Sequence, residues 1–137
     1  MQVLVDATAW ISYFTGRASA AADLLDKLLG QEAVCVADLT VAEVLCGIPD
    51  EHHRKQAAEA LGKFWLVEIH GFDHAEQCAV NYHSLRARGI EVSPVECHLA
   101  SWCIQNAFAL LHDSPGYDPF EKHLGLKVVR EAAREGP

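Results

Sequence analysis

Short, uninterrupted apolar runs recur along this chain. Val3-Leu4-Val5 ends at Asp6, Ala33 to Ala37 reads AVCVA, and Phe108 to His112 contains Leu110 and Leu111. Runs of this length without polar alternation are strands buried on both faces, as in parallel sheets covered by helices. Trp65 to Ile69 alternates like a half-buried strand, and Leu126 to Val129 is a last strand. Helical patterns fill the intervals. Trp10 to Phe14 starts one that Gly16 stops, and Ala18 to Leu29 places Ala21, Leu24, Leu25, Leu28 and Leu29 on one stripe closed by Gly30. Leu39–Gly47, Glu51–Phe64, Asp73–Arg88, Pro94–Ala107 and Tyr117–His123 follow. Strands alternating with helices predict an α/β fold: a central parallel sheet with helices on both faces.

A chain of 137 residues is expected to form one domain over 1–137, its core about 3–129 and its charged tail 130–137. Eleven basic residues against nineteen acidic ones leave a formal charge of −8. That balance excludes attachment to nucleic acid by bulk charge, which needs clustered Lys and Arg to displace counterions. A cation held by grouped carboxylates would reverse the local field. The start, MQVLVDATAW, has no basic region, and Asp6 interrupts its apolar run. No stretch approaches the roughly 18 apolar residues of a membrane span. The five cysteines (Cys35, Cys46, Cys78, Cys97, Cys103) are odd in number, hold no C-x-x-C pair, and sit in apolar or helical surroundings as buried free thiols do. These features predict a cytoplasmic, reduced chain with no membrane partner.

In an open parallel sheet, ligands bind beyond the carboxyl ends of the strands. Asp6 stands at such a place. Its plain reading is the cap of a helix beginning near Ala9. Glu43 in Thr40-Val41-Ala42-Glu43 and Glu96 in Ser93-Pro94-Val95-Glu96 each match a capping box, with Pro94 marking a helix start. Helix chemistry explains each acid singly. Three acids that the topology can bring to one edge suit Mg²⁺ or Mn²⁺, which take carboxylate and water oxygens. Among the other groups, His112 ends a strand beside Asp113, and His98, two residues past Glu96, faces elsewhere on its helix. Trp10, Tyr13, Phe14 and Trp102 have spacings that suit core or dimer packing. Arg86 and Arg88, before Gly89, read equally as nucleic-acid contacts or as helix C-terminal charges.

Together these landmarks resemble the PIN-domain family, most closely the VapC-type toxins of prokaryotic toxin–antitoxin pairs. Leu4-Val5-Asp6-Ala7-Thr8-Ala9-Trp10-Ile11 looks like the first motif, and Leu39-Thr40-Val41-Ala42-Glu43-Val44-Leu45-Cys46-Gly47 is similar to the second. Leu85 to Gly89 followed by Val95 to Ala100 matches the third. Leu110-Leu111-His112-Asp113, then Tyr117-Asp118-Pro119-Phe120, matches the fourth. The resemblance implies a three-layer α/β/α domain and a Mg²⁺- or Mn²⁺-dependent endoribonuclease. It also implies a homodimer silenced by a cognate VapB-type antitoxin. Asp6, Glu43 and Glu96 would be the catalytic and metal-holding acids, Thr8 and Ser114 would orient water, and Asp113 and Asp118 would flank the site. RNA would be the substrate, and the remaining acidity would suit a basic antitoxin segment.

The chain departs from the family's pattern at two places. Glu96 stands where Asp is usual, which moves the carboxylate by roughly 1.5 Å on a fixed backbone, about one C–C bond. Ser114 and Gly116 occupy positions where acids are usual. These departures keep two alternatives open: a catalytically weakened PIN domain that serves as a protein-binding module, and a PIN nuclease of RNA processing.

Overall fold

The computed structural model describes residues 2–31 and 33–130. Among them, five strands form one sheet: β1 (Val3–Val5), β2 (Val34–Ala37), β3 (Trp65–Val67), β4 (Ala109–Leu111) and β5 (Lys127–Val128). Their order is β3-β2-β1-β4-β5, and every pairing is parallel. The seven α-helices among the described residues are α1 (Ala7–Thr15), α2 (Ala20–Leu28), α3 (Asp38–Cys46), α4 (Glu51–Leu61), α5 (Phe72–Arg86), α6 (Pro94–Asn106) and α7 (Asp118–Leu124).

Strand side chains alternate between two cores, as a pleated strand requires. Val3, Val5, Val34, Val36, Ala109 and Leu111 pack against α1 to α4, with Trp10, Leu25, Val44 and Leu61 buried among them. Leu4, Cys35, Ala37, Val67 and Leu110 face α5, α6 and α7, against Leu85, Leu99, Cys103 and Phe120. The expected three-layer α/β/α arrangement is therefore present. The aromatic residues of α1 belong to the first core: Trp10 is buried and stacks on Phe14 at 5.5 Å.

Several boundaries differ from expectation. Helix α1 begins at Ala7, not near Trp10, because Asp6 caps it directly. Strands β3, β4 and β5 are shorter than the apolar runs, and Trp65 and Leu66 lie exposed on the edge strand rather than half-buried. The expected helix at Tyr117 splits into a 3₁₀ turn at Pro115–Tyr117 and α7, since Pro115 and Pro119 each open a separate turn. Cys35, Cys97 and Cys103 are buried and Cys78 is half-buried, but Cys46 is exposed at the end of α3. The expected tail falls almost wholly on residues 131–137, which lie outside the described residues. Among the described residues, no helix is long and apolar enough to cross a membrane.

The chain fills one side of the sheet first, as β1, β2 and β3 step outwards. It then returns to place β4 on the other side of β1. The strand order reverses between β1 and β4, and a crevice at such a switch point is where ligands bind in open α/β sheets.

Candidate active site

Asp6 leaves β1 at this switch point. Its N–H donates to the Leu111 carbonyl at 3.0 Å, continuing the β1–β4 ladder by one step. Its side chain is 3% exposed, and Oδ1 accepts the Thr8 hydroxyl at 2.6 Å and the Ala9 N–H at 3.1 Å. The cap reading of Asp6 is thus met by a side chain that also stands at the switch point. Burial pushes its carboxyl up to about 6, against the pull of those two hydrogen bonds, and the charges of Glu43 and Glu96 add to the rise.

Glu43 comes from α3. The expected capping box does not form there: α3 begins at Asp38, immediately after β2, so Thr40 lies inside the first turn with its hydroxyl buried. Glu43 is released from helix-end duty and half-buried. Desolvation raises its carboxyl above the usual range, and Glu96 raises it further. Glu96 comes from the start of α6. Ser93 caps that helix by accepting the Glu96 N–H at 3.1 Å, which is one half of the expected box. The carboxylate turns elsewhere, and its Oε2 accepts the Ser114 hydroxyl at 2.8 Å.

The three acids are therefore neighbours: Asp6 feels both glutamates, and Glu43 feels Glu96, as unfavourable like charges. None of them makes an ion pair among the described residues. The phenol of Tyr117, 3% exposed, feels all three charges and is pushed well above its usual range, chiefly by burial. In the sequence Tyr117 reads only as part of the fourth motif. Its place beside the acids follows from the turn made by Pro115.

The supporting residues divide. The Thr8 hydroxyl commits its proton to Asp6 and accepts the Asp113 N–H at 2.9 Å. Ser114 likewise gives its proton to Glu96, while its N–H donates to His112 Nδ1 at 3.1 Å. Asp113 and Asp118 are exposed on that loop, and their charges act on His112. Arg86 and Arg88 lie at the C-terminal end of α5. Arg86 meets Glu91 at 3.4 Å, and the charge of Arg88 is felt by His123. Neither arginine acts on the acids. His98 hydrogen-bonds His74 at 2.9 Å, away from Glu96 as its helical spacing predicts.

All-oxygen donors with net negative charge fit a hard divalent cation in kind. Glu96 raises the proton affinity of both Asp6 and Glu43, and a bound ion would relieve that repulsion. As placed, no three Asp, Glu, His or Cys side chains among the described residues form a ligand set for one ion. The fit is one of charge and donor type.

Fold and site together define an α/β protein that gathers negative charge at the switch point of a parallel sheet. The family model described as PIN domain matches residues 3–114, and the chain belongs to the PIN-domain family. It is similar to Ribonuclease VapC11 of Mycobacterium tuberculosis, with 24% identity over 130 residues covering 93% of this chain and 97% of that protein. Its fold resembles that of VapBC2 from Rickettsia felis, solved bound to a DNA fragment from their promoter. The TM-score is 0.76 at 11% identity, covering 94% of this chain and 98% of that one. VapC20 of Mycobacterium tuberculosis, a Sarcin-Ricin loop cleaving toxin, gives a TM-score of 0.71 at 14% identity, covering 94% of this chain and 99% of that one.

Proposed function

We propose that this chain is a VapC-type endoribonuclease, the toxin of a toxin–antitoxin pair, which hydrolyses RNA phosphodiester bonds with a divalent cation, Mg²⁺ or Mn²⁺. The observation that carries this reading is the convergence of Asp6, Glu43 and Glu96 at the switch point, where the charge of Glu96 disfavours both of the other carboxylates. The VapC names among relatives that match nearly the whole chain support it.

Asp6, Glu43 and Glu96 would hold the ion. When bound, such an ion activates water and neutralises charge at a phosphate undergoing in-line displacement. The residues of the chain do the rest. Thr8 and the Ala9 N–H fix Asp6, and Ser114 fixes Glu96. Glu43, with its raised proton affinity and partial exposure, is suited to receive a proton from water. Asp113 and Asp118 flank the opening and keep it acidic, so RNA approach depends on the cation. Arg86 and Arg88, exposed at the end of α5, would contact the RNA backbone away from the cleavage point. The partner would be a VapB-type antitoxin with a basic segment that complements the charge of −8, and the working form a homodimer in the cytoplasm.

The test is cleavage of structured RNA by the purified full-length chain with Mn²⁺, with EDTA and with Asp6→Asn. Cleavage only by the metal-loaded wild type is the expected result. Cleavage that persists in Asp6→Asn overturns the assignment of these acids. Specific capture of an antitoxin without any cleavage would instead favour the protein-binding reading.

A further inference from the structure

Glycine is needed where φ is positive or where another group approaches too closely for a Cβ. Gly116 is not among the positive-φ glycines, which are Gly16, Gly71, Gly89 and Gly125. The second reason applies here through the end of one side chain, so it holds as far as that side chain is itself held in place. A Cβ built at 116 would collide with both carboxylate oxygens and the carboxyl carbon of Glu96. The Glu96 carboxylate therefore fills the space that a side chain at 116 would take.

The same carboxylate is held from the loop side. Ser114 Oγ donates to Glu96 Oε2 at 2.8 Å and accepts the Gly116 N–H at 3.2 Å. The backbone of Glu96 is fixed by the Ser93 cap. A carboxylate on a fixed backbone reaches a distance set by its number of methylenes, so this seat accepts a glutamate and not a shorter acid.

We propose that Ser114 and Gly116 are positioning residues matched to the length of Glu96, which together seat its carboxylate at the acidic edge. A shorter acid at 96 would go with a side chain at 116. The inference rests on the reading of Asp6, Glu43 and Glu96 as a cation site. It changes the meaning of Ser114 and Gly116, because the loop lacks acids of its own in order to admit one from α6.

The test compares Gly116→Ala in two backgrounds, wild type and Glu96→Asp, with Mn²⁺ affinity measured by calorimetry and denaturant unfolding followed in EDTA. In the wild-type background, Gly116→Ala should weaken Mn²⁺ binding by about 10- to 100-fold, the usual range for groups that orient a ligand. In the Glu96→Asp background the same substitution should change binding by less than about twofold, a coupling expected of residues in contact and not of independent sites. The unfolding midpoint should fall with Gly116→Ala in the wild type and hold in the Glu96→Asp background. Ser114→Ala should weaken Mn²⁺ binding in the wild type and have little effect with Glu96→Asp. Equal effects of Gly116→Ala in both backgrounds overturn the matching. A wild type that binds no Mn²⁺ overturns the cation reading and the positioning role that rests on it. The EDTA unfolding data then tell that result apart from a failure of the length match itself.

Discussion

The Thr8 hydroxyl accepts a hydrogen bond from the Asp113 backbone N–H at 2.9 Å. This contact joins the first turn of α1 to the loop after β4 across the switch point. Because the same hydroxyl donates to Asp6 at 2.6 Å, the tie between helix and loop and the orientation of the buried acid depend on one oxygen.

Replacing Thr8 by Val removes both bonds and leaves the Asp113 N–H without its partner. The expected loss is about 1–3 kcal/mol of stability in urea denaturation. Thr8→Ser, which keeps the hydroxyl, should recover most of it. Mn²⁺ binding by the Val variant should also shift to higher pH, since a hydrogen bond that favours the Asp6 carboxylate is gone. Equal stability of the Val and Ser variants would refute the tie.

Asp6→Asn keeps a cap for α1, because Asn accepts the Ala9 N–H as Asp does. It removes a charge that burial disfavours. The carboxyl is raised in the folded protein to about 6 from an ordinary 3.8, so its contribution to stability is present in full below the lower value and lost as pH rises through the upper one. The metal-free variant should therefore be more stable than wild type at pH 8, and the difference should vanish towards pH 4. A variant less stable than wild type at pH 8 would show that the charge is already compensated.

The same protonation should compete with a cation. Near pH 6 part of the Asp6 population holds a proton that an ion must displace. Calorimetry of Mn²⁺ binding in buffers of different ionisation enthalpy should reveal proton release that grows as pH is lowered from 8 to 6, with weakening affinity. Binding that is independent of pH over this interval would place the ion away from Asp6.

His112 offers a test of opposite sign. Its Nδ1 accepts the Ser114 N–H, a role that requires the neutral ring, and burial holds its proton affinity below the ordinary histidine value. Stability from this group is present above the unfolded value of 6.5 and lost as pH falls through the lower folded value. In an NMR titration the imidazole should change charge below 6.5, and the Ser114 amide resonance should move with it. A midpoint at or above the ordinary value would contradict the neutral-acceptor role.

Thr40 has a buried hydroxyl with no hydrogen-bond partner among the described residues. Thr40→Val keeps the shape and removes the unpaired group, so a gain of about 1 kcal/mol in denaturant stability is expected. A loss would mean that the hydroxyl has a partner in solution.

Much of this fold was legible in the sequence because buried parallel strands leave a plain signal. Val3–Val5 and the AVCVA run can be buried on both faces only in a helix-covered sheet. The three acids were legible as positions, and their order along the chain pointed to the PIN resemblance. What each carboxylate does was not. The Thr-x-x-Glu pattern at Glu43 looked like a capping box, yet the helix starts three residues earlier than that box requires and leaves the acid free. Glu96 kept half of its box, because its side chain found Ser114 in a loop eighteen residues away. Such pairings depend on how α6 lies against the turn at Pro115, which local pattern does not encode. Asp113 and Asp118 read as carboxylates flanking the site, and only the path of the loop shows that their charges fall on His112.

The contact between Thr8 and Asp113 spans 105 positions of the chain. During synthesis the N-terminal residues emerge first, so Asp6 is made early and waits for nearly the whole protein before β4 can pair with β1. No shorter nascent chain can close the acidic edge. A protein wired in this way assembles its acid cluster only after most of its chain has been made.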